Sequence, residues 1–404
     1  MDYIASSYNF LIVVKMWCMI NHGVKLGVRI VMLSNELSGK LVVSIEQAVA
    51  GPYCGLLLAD AGARVIKVER PEGDFARNYD KGLDGKSVIF AWLNRGKESI
   101  CLNLKMSEDL AFLRGLLASA DIFLSNLAPG VLSKFGLTGK VLREKNVGLI
   151  TCSITGYGEV GSVKRKKAYD ILVQAESGLC AVTGDKDSPS KVGISIVDIS
   201  TGLTAFSGIL RGIIRREKTG EGVDISVSMF DVMADWMNMP LLAHRYLGGA
   251  PERNSLKHYL IAPYGAYSCK DGSQILISVQ SDREFHIFCK TVLKDESISQ
   301  DRRFLQNSDR IRNREALDEI IAVTFSNSNI ENLIELMDRV GIANARLNSV
   351  SQLSDHPLLR NSIVDMGTTS ISVAALPLGC NNLLKSEVPN LDQNGSSIKK
   401  EFGF

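Results

Sequence analysis

The sequence predicts an α/β protein, with a large open parallel-sheet domain and a smaller α+β domain, and three observations predict it. Short β-branched apolar runs alternate with helical segments from residue 41 to about residue 230. Beyond that the chain changes character: a Met- and Trp-rich stretch (MFDVMADWMNMPLLAHRYLG) is followed by strand-like runs around 265–279 and helical patterns to about 340. A chain of 404 residues, 45% hydrophobic and 22% charged, is long enough for one large or two ordinary domains. The expected division is an amino-terminal extension over 1–31, the first part of the large domain over 32–230, the small domain over 231–345, and a return segment over 346–404 that completes the large domain.

In order along the chain, LVVSI (41–45) is a strand, AGPYCGLLLADAG opens a helix on small residues, and RVIKVER (64–70) is the next strand, which makes a βαβ unit. SICLNL (99–104) is another strand. SEDLAFLRGLLASA (107–120) is an amphipathic helix, with Ser107 as its cap and Asp109 in its first turn. DIFLSN (121–126) is a strand, VLREKN a short helix, and VGLITCSI (147–154) a strand that ends in glycines. VGISIVDISTG (192–202) runs from a strand into a long helix that continues LTAFSGILRGIIRR.

The 46 Lys and Arg nearly balance the 44 Asp and Glu, and a net charge of +2 gives no bulk attraction to nucleic acid or to an anionic membrane. Any bound anion must be held by a local cluster. Eight cysteines are scattered through apolar segments with no CxxC pair and no His at ligand spacing, so they read as reduced core thiols of a cytoplasmic protein and imply no metal site. The apolar run at 9–20 is shorter than the ~20 residues a spanning helix needs and is interrupted by Lys15. No cleavage site frames it, so it reads neither as an anchor nor as a secretory signal. Residues 1–31 therefore read as an extension lying outside the domain.

Several catalytic readings fail. Gly156-Tyr157-Gly158-Glu159-Val160-Gly161 matches the dinucleotide fingerprint and follows a strand, but the charged SVKRKKAYD comes after it, so no helix amino terminus awaits a pyrophosphate. There is no P-loop, HExxH or nucleophile elbow, and the five histidines are far apart. What remains is Asp198, at the junction leading into the long helix. Two readings stand: a helix cap that accepts backbone N–H bonds, or a carboxylate that stays ionised at the helix terminus and attacks a thioester.

The stretches AGPYCGLLLADAGARVIKVERPEGDFAR (50–77), NRGKESICLNLK (94–105), NLAPGVLSKFGL (126–137), GYG (156–158), AYDILVQAESGLCAVTG (168–184) and the Asp198 segment resemble the class III CoA transferase family, which includes formyl-CoA transferase, carnitine CoA-transferase and the α-methylacyl-CoA racemases. REKTGEGVDISVSMFD (216–231), IAPYGAY (261–267) and GIANARLNSVSQLSDHPLL (341–359) fit as well, so the resemblance covers nearly all of 40–360. It implies a Rossmann-like large domain, an interlocked homodimer, and a site between the large domain of one subunit and the small domain of the other.

Carried over by position, the resemblance makes Asp198 the nucleophile of a covalent aspartyl intermediate. It places CoA contacts on Arg70, Leu102, Lys105, Lys134 and Lys167, with Ala48, Val49, Ala50 and Tyr169 near the pantetheine arm. Arg77 and Lys97 are weaker candidates for the phosphates. The expected partners are an acyl-CoA and a small carboxylic acid, with no cofactor beyond CoA itself as substrate. The racemases have a His where Tyr169 stands here. A phenol, which ionises near pH ~10, is a poor proton shuttle at neutral pH, so transfer is favoured over racemisation and Asp170 is assigned a structural role.

YDKGLDGKSVIFAWLNRGKES (79–99) with SVSMFDVMADWMNMPL looks like the subgroup that activates small dicarboxylates such as itaconate from succinyl-CoA. Arg95 or His258 is the expected cation for the second carboxylate. Val49 stands where formyl-CoA transferase has a glutamine, and APYGAY replaces its glycine-rich loop, which argues against oxalate and formyl-CoA as substrates. The closing VPNLDQNGSSIKKEFGF lacks the family's Gly-Glu-His.

Overall fold

The computed structural model describes residues 35–159, 161–164, 166–378 and 387–403. The readings of residues 1–31 and of the apolar run at 9–20 lie outside them. Six parallel strands form the main sheet: β1 (Leu41–Ile45), β2 (Arg64–Glu69), β3 (Glu98–Cys101), β4 (Ile122–Ser125), β5 (Ile150–Thr155) and β6 (Asp224–Ser228), in the order β3-β2-β1-β4-β5-β6. Val43 of β1 is in register with Ile66 of β2 and Phe123 of β4. The central strands β1, β4 and β5 are buried almost throughout, as a parallel sheet covered on both sides requires.

On one face Val42, Val65, Leu124, Ile150 and Ile154 pack against α1 (Ala50–Asp60) and α4 (Ile196–Thr219), through Cys54, Leu58, Ala205 and Ile209. On the other, Val43, Ile66, Ile100 and Phe123 meet Phe112, Leu113 and Leu116 of α2 (Ser107–Ala118) and Ile398 of α7 (Gly395–Glu401). Between α2 and α4 in sequence, α3 (Asp170–Glu176) follows the glycine-bearing loop after β5.

A second core surrounds an antiparallel sheet of β7 (Tyr264–Ser268), β8 (Gln274–Ser278) and β9 (Ala343–Arg346). Phe285, Phe288 and Phe304 join Leu317 and Phe325 of α5 (Arg314–Ser326) and Leu333 and Met337 of α6 (Ile330–Val340). A hairpin of β10 (Asn361–Asp365) and β11 (Ser370–Ala374) comes next. The chain then covers the outer edge of β3, where Asn394 Oδ1 accepts from Ser99 N–H at 3.0 Å and Asp392 Oδ1 from Cys101 N–H at 2.8 Å. That closes an edge that would otherwise offer free backbone groups.

Three sequence expectations change. Residues 190–195 form no strand before α4, because Ile194 is exposed and only Val197, already helical, enters the core. The cap of α2 is Met106 rather than Ser107, which is the first helical residue, and Asp109 accepts from Asn103 N–H at 2.8 Å. β9 went unread because its sequence, ANAR, is largely exposed and lacks a strand's apolar pattern.

Candidate active site

Parallel strands end along one edge, and the strand order puts the topological switch between β1 and β4, where α/β sheets open a crevice. Asn126, just past β4, ties the two sides together: its Oδ1 accepts from Gln47 N–H at 2.9 Å and its Nδ2 donates to Gln47 O at 2.7 Å. Ala48 takes the left-handed region (φ 63°) and donates its N–H to Asp74 Oδ1 at 3.2 Å. α1 starts two residues later with no acid in its first turn, and among the described residues the N–H groups of Val49, Ala50 and Gly51 meet no acceptor. The positive end of α1 is thus left open at the crevice.

Beneath the turn lies a buried ion network. Lys67 Nζ is 2.8 Å from Asp74 Oδ2 and 3.1 Å from Glu46 O, and Lys97 Nζ is 2.5 Å from Glu46 Oε1 and 2.9 Å from Pro52 O. Burial pulls the Lys97 ammonium down to about 8, with Glu46 opposing. Lys97 is therefore no phosphate ligand. Arg77 is not one either, since its guanidinium is bidentate on Glu69 at 2.6 and 2.8 Å. Both cations hold the floor in shape.

Asp198 is not the cap of α4. Ser195 holds that position without a side-chain bond, and the amide groups of the first turn are taken by another aspartate: Asp170 Oδ1 accepts from Val197 N–H at 2.8 Å and from Asp198 N–H at 3.2 Å. Among the described residues nothing donates a hydrogen bond to the Asp198 carboxylate. Burial, and then the Asp170 charge, push its pKa up to about 7. This corrects the expectation that the helix terminus keeps Asp198 ionised, because the groups that would do so serve Asp170.

Gly202 fixes where Asp198 stands. A Cβ at Gly202 would lie 2.6 Å from Ala50 O and 3.2 Å from Cys54 N, so α4 and α1 meet backbone to backbone there. Asp198 is one turn earlier on the same face, next to this crossing of α4 with the first turn of α1. At the end of β5, Gly156 performs a similar service, since a Cβ would sit 2.1 Å from that of Ala168 and would push away the segment carrying Tyr169 and Asp170.

The other expected residues lie along the same sheet edge. Ala48, Val49 and Ala50 form the β1–α1 turn, with Val49 and Ala50 buried. Arg70 follows β2 and is exposed, its Nε 2.9 Å from Gly73 O. Leu102 follows β3 with a buried side chain, so only its backbone is available to a ligand. Lys105, Lys134 and Lys167 are exposed and carry no ion pair among the described residues. Tyr169 is exposed and precedes α3. Tyr79, which sequence reasoning passed over, also faces Asp198: burial and then the charges of Asp74 and Asp198 push its hydroxyl up to about 12. No local pattern marks it, since its closeness to Asp198 arises only in the fold.

Neither expected cation for a second carboxylate fits. Arg95 is 1% exposed, which leaves its guanidinium out of reach of a ligand, and it donates to Trp92 O. His258 is sandwiched between the rings of Tyr259 and Tyr264, at centroid distances of 5.4 and 5.0 Å, and burial and Arg314 lower its pKa. Both causes disfavour the charged imidazolium that a second carboxylate would call for.

A parallel-sheet switch with an unbonded helix amino terminus, and a half-buried carboxylate that caps no helix beside it, defines an α/β enzyme suited to anionic substrates. The chain belongs to CoA-transferase family III, whose family model matches residues 37–394, and it is a CoA transferase. It is 32% identical to an acetyl-CoA:oxalate CoA-transferase of Acetobacter aceti, over 90% of this chain and 95% of that one. It is also 32% identical to the succinyl-CoA:glutarate CoA-transferase of Mus musculus, over 84% of this chain and 79% of that one. Among solved structures, a CAIB/BAIF family protein from Brucella suis superposes with a TM-score of 0.80 at 31% identity, over 91% of this chain and all of that one.

Proposed function

We propose that this enzyme moves CoA from an acyl-CoA donor, succinyl-CoA first among them, to a small dicarboxylic acid, with Asp198 as the covalent nucleophile. The observation that carries this is the Asp198 carboxylate itself: half-buried, free of hydrogen bonds from the described residues, and one turn from the crossing of α4 with the first turn of α1. A carboxylate that holds no helix end is available to a bound thioester.

An Asp198 oxygen adds to the thioester carbonyl and expels CoA thiolate, leaving a mixed anhydride. The thiolate then attacks the aspartyl carbonyl, which releases the donor acid and leaves an aspartyl-CoA thioester. The acceptor carboxylate attacks that thioester, and the returning thiolate takes the acceptor's acyl group, restoring Asp198. The unbonded N–H groups at the start of α1 are suited to the oxyanions along this path. Arg70, Lys105, Lys134 and Lys167, on the segments after successive strands, are the cations proposed for the CoA phosphates.

Relatives named for glutarate, mesaconate and oxalate support a dicarboxylate acceptor. Itaconate stays among the acids proposed, and oxalate, which the sequence reading argued against, joins them. The catalytic unit is proposed to be a homodimer.

Incubation with succinyl-CoA and a panel of glutarate, mesaconate, itaconate and oxalate, read by mass spectrometry, should yield a new acyl-CoA. Hydroxylamine added during turnover should modify Asp198 alone, and Asp198→Ala should lose at least ~10³-fold in rate. Turnover with an unmodified Asp198 would refute the covalent reading. Solvent deuterium entering acyl-CoA without transfer would point instead to racemisation.

A further inference from the structure

An acid in the first turn of a helix ordinarily folds back onto the free amide groups there. At α4 those groups are already occupied, and by an acid from a different helix. We propose that Asp170 is a positioning residue for the nucleophile: it occupies the first-turn amides of α4 in place of Asp198, leaving that carboxylate directed at substrate with a second negative charge beside it. This rests on the reading of Asp198 as nucleophile.

The contacts make Asp170 a fixed acceptor rather than a loose neighbour. Its Oδ1 receives Val197 N–H and Asp198 N–H, and its Oδ2 receives Gln174 Nε2 at 2.6 Å. Gln174 is fully buried, and its Oε1 accepts from Val192 N–H at 2.9 Å, so the amide cannot turn around without losing that bond. Three of these bonds tie α3 to the segment entering α4, and the fourth, within α3, fixes the two side chains that make them. The groups facing Asp198 are Asp170, from α3, and Tyr79, from the segment after β2. Tyr79 stands beside Asp74 and Tyr169, and Asp74 is paired with Lys67. Burial is the larger reason that Asp198 holds its proton, and Asp170 adds to it.

The test is the pH dependence of kcat/KM for succinyl-CoA, whose acid limb reports the ionisation of the free enzyme's nucleophile. In the native enzyme that limb should lie near pH 7. Asp170→Asn and Asp170→Ser each keep an oxygen for the α4 amides but remove the charge, and the limb should move down by about one pH unit. Gln174→Leu weakens the hold on Asp170 and keeps its charge, so kcat should fall while the limb stays in place. Asp170→Ala frees the amides, lets Asp198 fold back, and should lower kcat by about 10- to 100-fold with little change in KM for acyl-CoA. A folded Asp170→Ser or Asp170→Asn enzyme with an unmoved limb would overturn the proposal. Hydroxylamine trapping separates the two levels: label on Asp198 with an unmoved limb defeats only the role of Asp170, whereas absence of label in the native enzyme defeats the nucleophile itself.

Discussion

At the scale of single residues, the site places a carboxylate where folding alone would not favour it. Asp198 carries a pKa of about 7 against an ordinary 3.8, and no bond among the described residues offsets its burial. The folded state therefore binds its proton more tightly than the unfolded chain does. The associated stability is fully present below about pH 3.8 and is lost as pH rises towards 7. Asp198→Asn removes the charge at nearly constant shape. The variant should be inactive, and at pH 8 it should be more stable than the native enzyme by on the order of 1–3 kcal/mol. Thermal melts should show this gain shrinking towards pH 4, and an equal or lower Tm at pH 8 would contradict the burial penalty. The buried cations follow a different rule. Lys67 and Lys97 are neutralised by Asp74 and Glu46, so their place is in the floor rather than in binding.

At the scale of elements, glycine shows how α4 and α1 come together. A methyl group added at Gly115 in α2 would meet nothing within 4 Å, whereas one at Gly202 in α4 would meet Ala50 O at 2.6 Å. In an open helix interior Ala is favoured over Gly by roughly 1 kcal/mol, so Gly115→Ala should raise stability by about that amount. At Gly202 the same change forces the helices apart, and overpacking costs about 1–3 kcal/mol. Denaturant melts should give opposite signs for the two variants, with kcat falling only for Gly202→Ala, because the shift moves Asp198 relative to the β1–α1 turn. This contact also marks the limit of what the sequence discloses. β1, β2 and β4 were legible almost to the residue, since short β-branched runs buried on both faces have few alternatives. Asp198 was legible as an acid near a helix start, but whether it capped that helix was not, because the true donor set belongs to Asp170, 28 residues earlier in the chain. Lys97, Arg77 and Arg95 were misread for a related reason: their buried surroundings are assembled from distant segments, and a local pattern treats such side chains as solvated.

At the scale of the whole molecule, large apolar side chains are exposed on the elements that carry and flank Asp198. Ile171 and Leu172 of α3, Ile194, and Leu203 of α4 are exposed, as are Trp236, Met239, Leu242 and Tyr246 on the two helices that follow β6. Large apolar patches of this kind mark contact surfaces, and they support the proposed homodimer more directly than they support any small ligand. If a second copy covers this face, the site is complete only in the assembly, and activity should depend on protein concentration. Sedimentation should report a dimer for the native enzyme. Trp236→Glu with Met239→Glu, which puts two carboxylates into the patch outside the crevice, should shift the population to monomer and lower kcat/KM by at least ~10-fold, with partial recovery at high protein concentration. A double variant that sediments as a folded monomer and keeps native kcat/KM would place the complete catalytic site within a single chain.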